Sequence, residues 1–342
     1  MYQLHTLSLM DERSAAWDNF VQNHCDGTFF HLTGWQQILT DIGHQCYYLY
    51  TTENGNIVGI LPLARVKSRL FGDALVSTPF CVYGGAVGED NAKRFLEQEA
   101  IKLASSLGVN HLELRYKTVQ HNNLITRSQH AYFACELAED AEQILANVKK
   151  KQRAVIRHAL KEQLSYTLDE DDVDFYQTYS ESVRNLGTPV FSKGFFKKIR
   201  QVFPEQTEIL TVRHQHKAVS SVMSFYYKGE VLPYYGGGTN QAKSLKSNDF
   251  MYYQLMCHAR ADMGCERYDF GRSKIDSGAY QYKKHWGMTA VELPYQYHLV
   301  KANSLPNLSP NNPKYQLFIK LWQKLPLAVS QWLGPKLSKY LG

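Results

Sequence analysis

The residues best suited to chemistry lie at 266–287, in the run ERYDFGRSKIDSGAYQYKKHWG. Arg272, Ser273 and Lys274 follow Gly271 directly, and Tyr280, Tyr282, Lys283, Lys284, His285 and Trp286 come soon after. Cations and hydrogen-bonding aromatics gathered on one short segment suit an anionic or polarised substrate. Arg272 can fork onto a carboxylate or phosphate, with Ser273 beside it as a substrate-binding hydroxyl. A Lys283 ammonium among Tyr280, Tyr282 and Trp286 would be partly desolvated, which strengthens its field. The alternative is a structural cation–π contact with Trp286. Asp269 suits a base or an orienting partner for Arg272; a structural ion pair is its alternative. Tyr235 and Tyr280 are candidate proton relays.

These residues need elements to position them. Tyr268 and Phe270 alternate with Arg267 and Asp269, the pattern of a half-buried strand, and Gly271 is read as the turn that ends it. The site residues then fall on the loop beyond a strand end, where scaffolds commonly present function. A second such place is Gly236, Gly237 and Gly238, read as lying just after a strand. Their backbone amides could hold a donor or face developing negative charge.

The remaining chain supplies two similar sets of elements. Helical periodicity covers 12–43 around Trp17, Phe20, Val21, Trp35, Ile38 and Leu39. Strands are expected at 47–50 and 57–66, joined by Glu53-Asn54-Gly55-Asn56, residues that tolerate positive φ. A strand near Leu75, the turn Tyr83-Gly84-Gly85, a helix at 92–107 and the strand HLELR follow. The order then recurs: GWQQI at 34–38 resembles GFFKKI at 194–199, strands recur at 209–214 and 218–227, and Tyr83-Gly84-Gly85 recurs as Tyr234-Tyr235-Gly236-Gly237. One domain present twice is implied. Between the copies, 140–164 reads as one helix capped by Asp140, with Gln143 completing a capping box. It has an apolar face of Ile144, Val148, Val155 and Ala159, and Lys149, Lys150, Arg153, Arg157 and Lys161 elsewhere. The boundaries expected are 1–136, 137–300 with the cleft, and a tail at 301–342.

The Asp-Phe-Gly-Arg-Ser run, Gly278, Tyr280 and Tyr-Lys-Lys-x-Trp-Gly resemble the C-terminal signature of FemAB-like transferases, relatives of the peptidoglycan interpeptide-bridge aminoacyltransferases. The likeness runs from Trp17 to about Tyr297 and is nearest to the branch associated with exosortase/PEP-CTERM exopolysaccharide systems. It implies an α+β fold of two tandem GNAT-like domains, with mixed, mainly antiparallel sheets flanked by helices. It implies an aminoacyl- or acyltransferase acting on a cell-envelope, exopolysaccharide or other anionic glycan precursor, and composition adds the expectation that it is cytoplasmic. The alternative is a degenerate, non-catalytic relative that binds a nucleotide-sugar, lipid carrier or RNA. In the family the Lys of the aromatic-Lys-x-x-aromatic-Gly motif stabilises negative charge, and Lys283 holds that position. A comparable basic helix opens the family's second domain, which implies binding roles for Arg153 and Arg157; a solvated helix face is the alternative. Acetyl-CoA users of this fold carry a glycine-rich loop entering a helix to cradle pyrophosphate. TNQAKSLKSNDF and AVGEDNAK lack those glycines, so acyl-CoA is disfavoured and a charged tRNA is left open as donor. No bound cofactor or metal is expected, and no sustained heptad run marks the coiled-coil arm of some members.

Composition narrows the rest. At 342 residues about two domains are expected. No apolar run is long enough to span a bilayer, and the first residues lack the features of a signal peptide. Six cysteines without a CxxC pair read as small core residues in a reducing compartment. The net charge of +6 equals the six lysines at 301–342, where there is no carboxylate. Tyr315, Phe318, Trp322 and Leu325 fall on one helical face there, with Gln316, Lys320, Gln323 and Lys324 opposite. Beyond Pro326, a second segment carries Trp332, Leu333, Leu337 and Leu341. Such a basic amphipathic tail at 313–342 suits an anionic membrane surface, or else packs on the protein's own sheet.

Overall fold

The computed structural model describes residues 2–120, 122–305 and 313–341, and the side chains of 313–315, including Tyr315, lie outside that description. In chain order the elements are β1 (Gln3–Leu7), α1 (Ser14–Asn23), α2 (Gly34–Asp41), β2 (Gln45–Glu53), β3 (Asn56–Ser68), β4 (Gly72–Ser77), β5 (Val87–Gly88), α3 (Asp90–Leu107) and β6 (His111–Leu114). Then come β7 (Ile125–Glu136), α4 (Ala141–Asn147), α5 (Lys150–Ala159), β8 (Leu164–Leu168), α6 (Val173–Leu186), α7 (Lys193–Val202), β9 (Thr207–His214), β10 (Lys217–Tyr227) and β11 (Glu230–Gly238). The chain ends with α8 (Ala242–Leu245), α9 (Ser247–Ala261), β12 (Arg267–Lys274), α10 (Gly278–His285), β13 (Thr289–Leu299), α11 (Pro313–Gln323) and α12 (Leu327–Ser338).

Two compact units result. One comprises 1–129, 292–307 and 339–342; the other comprises 130–291 and 308–338. In the first unit the sheet runs β1-β2-β3-β4-β6-β13, with β5 also against β3. Its β4–β6 pair is parallel and its other pairs are antiparallel. The turn between β2 and β3 places Asn54 at φ 52° and Gly55 at φ 83°, as a two-residue hairpin needs. Helix α3 ends at Gly108 in the left-handed conformation, which satisfies its last carbonyls. Leu61, Leu63, Leu75, Leu96, Leu112 and Leu114 form the core.

The second unit repeats that order as β8-β9-β10-β11-β12-β7, again with one parallel pair, β11–β12. Its core joins Phe133, Val222, Met251, Leu255, Tyr268, Phe270 and Trp286. The last strand of each sheet lies outside the corresponding copy of the sequence. β7, the end of the first expected copy, completes the second sheet, and β13, the end of the second expected copy, pairs with β6 in the first. Residues 292–299, assigned from sequence to the second lobe, therefore belong to the first unit.

Three further expectations are corrected. The helix read over 140–164 is two helices, broken where Val148 adopts an extended conformation. The break resets the phase, so Gln152, Ile156 and Ala159 are buried on α5 while Val155 is only partly covered. Asp140 does cap α4, accepting from the Gln143 amide at 2.8 Å. Second, Gly271 does not end the strand: β12 continues to Lys274, and Gly271 (φ 70°) sits in a bulge where Phe270 and Gly271 lie between the Asp269–Ala134 and Arg272–Tyr132 pairs. Third, Tyr280 to His285 are not on a loop but on α10, whose N-terminus Ser277 caps. Cys25 is exposed, unlike a core residue.

Helices α11 and α12 of the tail pack onto helix α6. Trp322 is buried, and Arg184 donates to the Leu325 carbonyl at 2.8 Å. No helix among the described residues is long and apolar enough to cross a membrane.

Candidate active site

The site grows from the place where two strands of the second unit part. β11 pairs with β12 at Glu230–Arg267 and Val231–Tyr268, and among the described residues the ladder stops there. β11 continues along β10 to Gly238, while β12 continues along β7 to Lys274. Each strand carries a bulge beyond the fork. On β11, Tyr234 has no opposite residue between the Pro233–Ser224 and Tyr235–Met223 pairs. On β12 the bulge is the one at Gly271.

Lys283, on α10, clamps the β12 bulge. Its Nζ donates to the carbonyls of Gly271 at 3.1 Å and Arg272 at 3.0 Å. The Asp269 carboxylate accepts from the Gly271 amide at 2.8 Å, so side chains hold both polar ends of the bulge. Burial pushes the Lys283 amine down from 10.5 to about 8; Asp269 opposes the shift and Arg272 adds to it. The amine lies 5.2 Å from the Phe270 ring centre and 6.0 Å from that of Phe133. These rings, and not Trp286, are its aromatic neighbours. Two N–H bonds go to carbonyls, which leaves one ammonium proton for a substrate oxygen. Ser273, next on the strand, buries a hydroxyl with no hydrogen-bond partner among the described residues. A buried polar atom of that kind is one a ligand or water would satisfy.

The other sequence-derived residues divide between this place and others. Asp269, Arg272, Ser273 and Lys283 gather at the bulge. Tyr280 packs edge-on to Phe133 with Lys284 over its ring. Trp286 is buried against Tyr252, Phe270 and Tyr282. Tyr235 sits inside an aromatic cluster with Tyr179, Phe191, Phe195, Phe196 and Phe225, the environment of a core residue. Gly236 and Gly237 lie within β11, not after it, and neighbouring side chains fill the space over them. A Cβ on Gly236 would meet the Tyr252 hydroxyl at 2.9 Å, and one on Gly237 would meet Ser182 at 2.4 Å. Arg153 and Arg157 line a separate surface groove of about 580 Å³ with Lys150, His158 and Lys161.

One group escaped the sequence reading and ties these parts together. Asp249, in the first turn of α9, accepts from Gln152 of α5 at 2.5 Å and from the Tyr282 hydroxyl of α10 at 2.9 Å. Burial raises its pKa against those two bonds. The basic helix and the Lys283 helix are thus fixed to one buried carboxyl. A polar Gln152 in phase with the buried Ile156 and Ala159 is the signal that could have revealed it.

Comparison with known proteins fits this geometry. Residues 145–284 match the family model described as acetyltransferase (GNAT) domain. FemX superposes with a TM-score of 0.67 at 14% identity, covering 93% of this chain and 100% of its own. The fold is that of FemX. The L-PGS of Bacillus licheniformis follows at TM-score 0.55 and 12% identity, covering 91% of this chain and 97% of its own. A tandem GNAT protein from the clavulanic acid biosynthesis pathway gives 0.54 at 10%, covering 89% of this chain and 100% of its own. No curated protein matched. The chain therefore has the expected architecture of tandem GNAT-like domains, with mixed, mainly antiparallel sheets and flanking helices.

Proposed function

We propose that this chain forms amide bonds, moving an aminoacyl or acyl group from an activated donor to an amine on a cell-envelope or exopolysaccharide precursor. The observation that carries the reading is the Lys283 amine, desolvated and pinned at the bulge where β11 and β12 part, inside the segment that matches a GNAT domain. Attack of an amine on a carbonyl builds negative charge on the carbonyl oxygen, and a fixed cation in a dry site stabilises that charge without reorganising. Arg272 and Ser273 bind the anionic part of a substrate. Asp269 holds the bulge amide and sets the local charge around Lys283.

Aminoacyl-tRNA fits better than acyl-CoA as donor. The Asp249 carboxyl occupies the first turn of α9, the helix that follows β11 across the short α8, and a carboxylate there opposes a pyrophosphate. The basic groove around Arg153 and Arg157 suits a charged tRNA or an anionic precursor. An acceptor carried on a lipid would place the reaction at a membrane surface. The test is a donor panel. Isotope-labelled aminoacyl-tRNA and acetyl-CoA are each incubated with the full chain and an amine-bearing envelope precursor, and products are weighed by mass spectrometry. An amide from either donor that Lys283→Met abolishes supports transfer. Retention of precursor with no amide from any donor makes the chain a binding protein.

A further inference from the structure

Helices α11 and α12 each have two faces with apolar residues, and α6 covers one of them. Inward, Trp322 is 3% exposed, Phe318 stacks on it at 5.3 Å, and Ile319 lies over Gly187. On α12 the buried residues are Ser330, Gly334 and Ser338, and Gly334 lies against the Val190 backbone, where a Cβ would not fit. Outward, Leu317 and Leu321 stand one turn apart on α11, 64% and 59% exposed. Val329 and Trp332 are exposed on α12, Trp332 at 64%. Lys320, Lys324 and Lys336 are exposed with them, and the Lys336 ammonium lies 4.0 Å from the Trp332 ring centre. The sequence amphipathicity pointed to the opposite stripe, through Phe318 and Trp322, which the protein uses for its own packing.

We propose that the outward face of α11 and α12 docks on an anionic lipid bilayer. Charge complementarity decides the occupant: Lys320, Lys324 and Lys336 are exposed beside these apolar residues, and residues 301–342 contain no Asp or Glu. A bilayer rich in acidic headgroups supplies that charge and an apolar layer beneath it. Leucines for the acyl boundary, a tryptophan at the interface and lysines snorkelling to the headgroups match those layers. This surface is independent of the transfer chemistry, so vesicle binding and acyl transfer can fail separately.

The five tryptophans give the test its readout. Trp17, Trp35, Trp286 and Trp322 are buried and Trp332 is exposed, so a change in emission on adding lipid reports Trp332. The full chain should sediment with phosphatidylcholine vesicles containing phosphatidylserine and not with phosphatidylcholine alone, less so as salt rises. Emission should move to the blue, and acrylamide quenching should fall. Leu321→Ser with Trp332→Ser should lower partitioning about tenfold or more, and Lys320→Glu with Lys324→Glu about fivefold or more per residue. All four positions are exposed, so melting temperatures should not move. Three results overturn the proposal. One is no sedimentation with any vesicle. Another is sedimentation that these variants leave intact but Arg153→Glu with Arg157→Glu removes. The third is self-association in the ultracentrifuge that Leu321→Ser with Trp332→Ser abolishes, which would give the face to a second copy.

Discussion

Replacing Lys283 with Met removes a charge and keeps most of an aliphatic stem against Phe270 and Phe133. At the amine's lowered value of about 8, the folded protein disfavours the charged form by about 3 kcal/mol relative to water. The substitution relieves that cost and forfeits two hydrogen bonds to the Gly271 and Arg272 carbonyls, worth about 1 to 3 kcal/mol each. The two effects offset, so stability should change by less than about 2 kcal/mol in either direction. Rate should behave differently. A cation that stabilises charge present only in the transition state contributes about 100-fold or more, so turnover should fall by that factor with little change in KM. The wild-type rate should also decline as pH rises through about 8, because the active species is the ammonium. The assay is turnover of the donor and acceptor found in the panel, with thermal melting as the folding control. A folded variant within a few-fold of wild type would refute the role. So would a wild-type rate that rises through pH 8, which would make the amine a base.

Asp249→Ala removes the acceptor shared by Gln152 and Tyr282 and strands two buried donors, so it should cost about 2 to 4 kcal/mol by chemical denaturation. His258 bridges Glu208 at 2.9 Å and Asp262 at 2.7 Å, and its hydrogen bond to Glu208 chiefly raises its pKa against burial. Its contribution is therefore fully present below about 6.5 and lost as pH rises through the raised value. Burial pushes the Glu208 carboxyl up, but the hydrogen bonds from His258 and Tyr226 bring it below 4.5, so its contribution is lost only as pH falls further. The stability gap between wild type and His258→Gln should be widest between these limits and should close towards alkaline pH. Gly237→Ala would set a Cβ 2.4 Å from Ser182, and the crowding should cost about 1 to 3 kcal/mol in a thermal melt.

Local chemistry made much of the fold legible. Asn54-Gly55, Gly108 and Asp140 each perform the turn, stop or cap that their residue types favour. The recurrence of strand, hairpin strand and helix showed the repeat, because each copy satisfies the same packing problem. Edge strands β1 and β8 were passed over: each is five residues long and mostly exposed, so neither has the buried apolar run that marks the interior strands. The exchange of β7 and β13 was invisible because pairing across the chain leaves no mark on local pattern. For the same reason the sequence set Lys283 beside Trp286, its near neighbour in sequence. Phe133, from a strand some 150 residues away in the sequence, takes that place with Phe270. Asp249 looked like an ordinary polar helix start, and only Gln152 and Tyr282 make it a tether.

The most direct measurement of the central claim is the acylation state of the precursor pool in cells. Lipid-linked envelope and polysaccharide precursors would be extracted from cells expressing wild type or Lys283→Met at equal protein level, then weighed and fragmented. Amide-linked acyl or aminoacyl mass should accumulate on a precursor amine with wild type and be absent with the variant. Identical pools in the two strains, with both proteins folded, would contradict amide formation at this site.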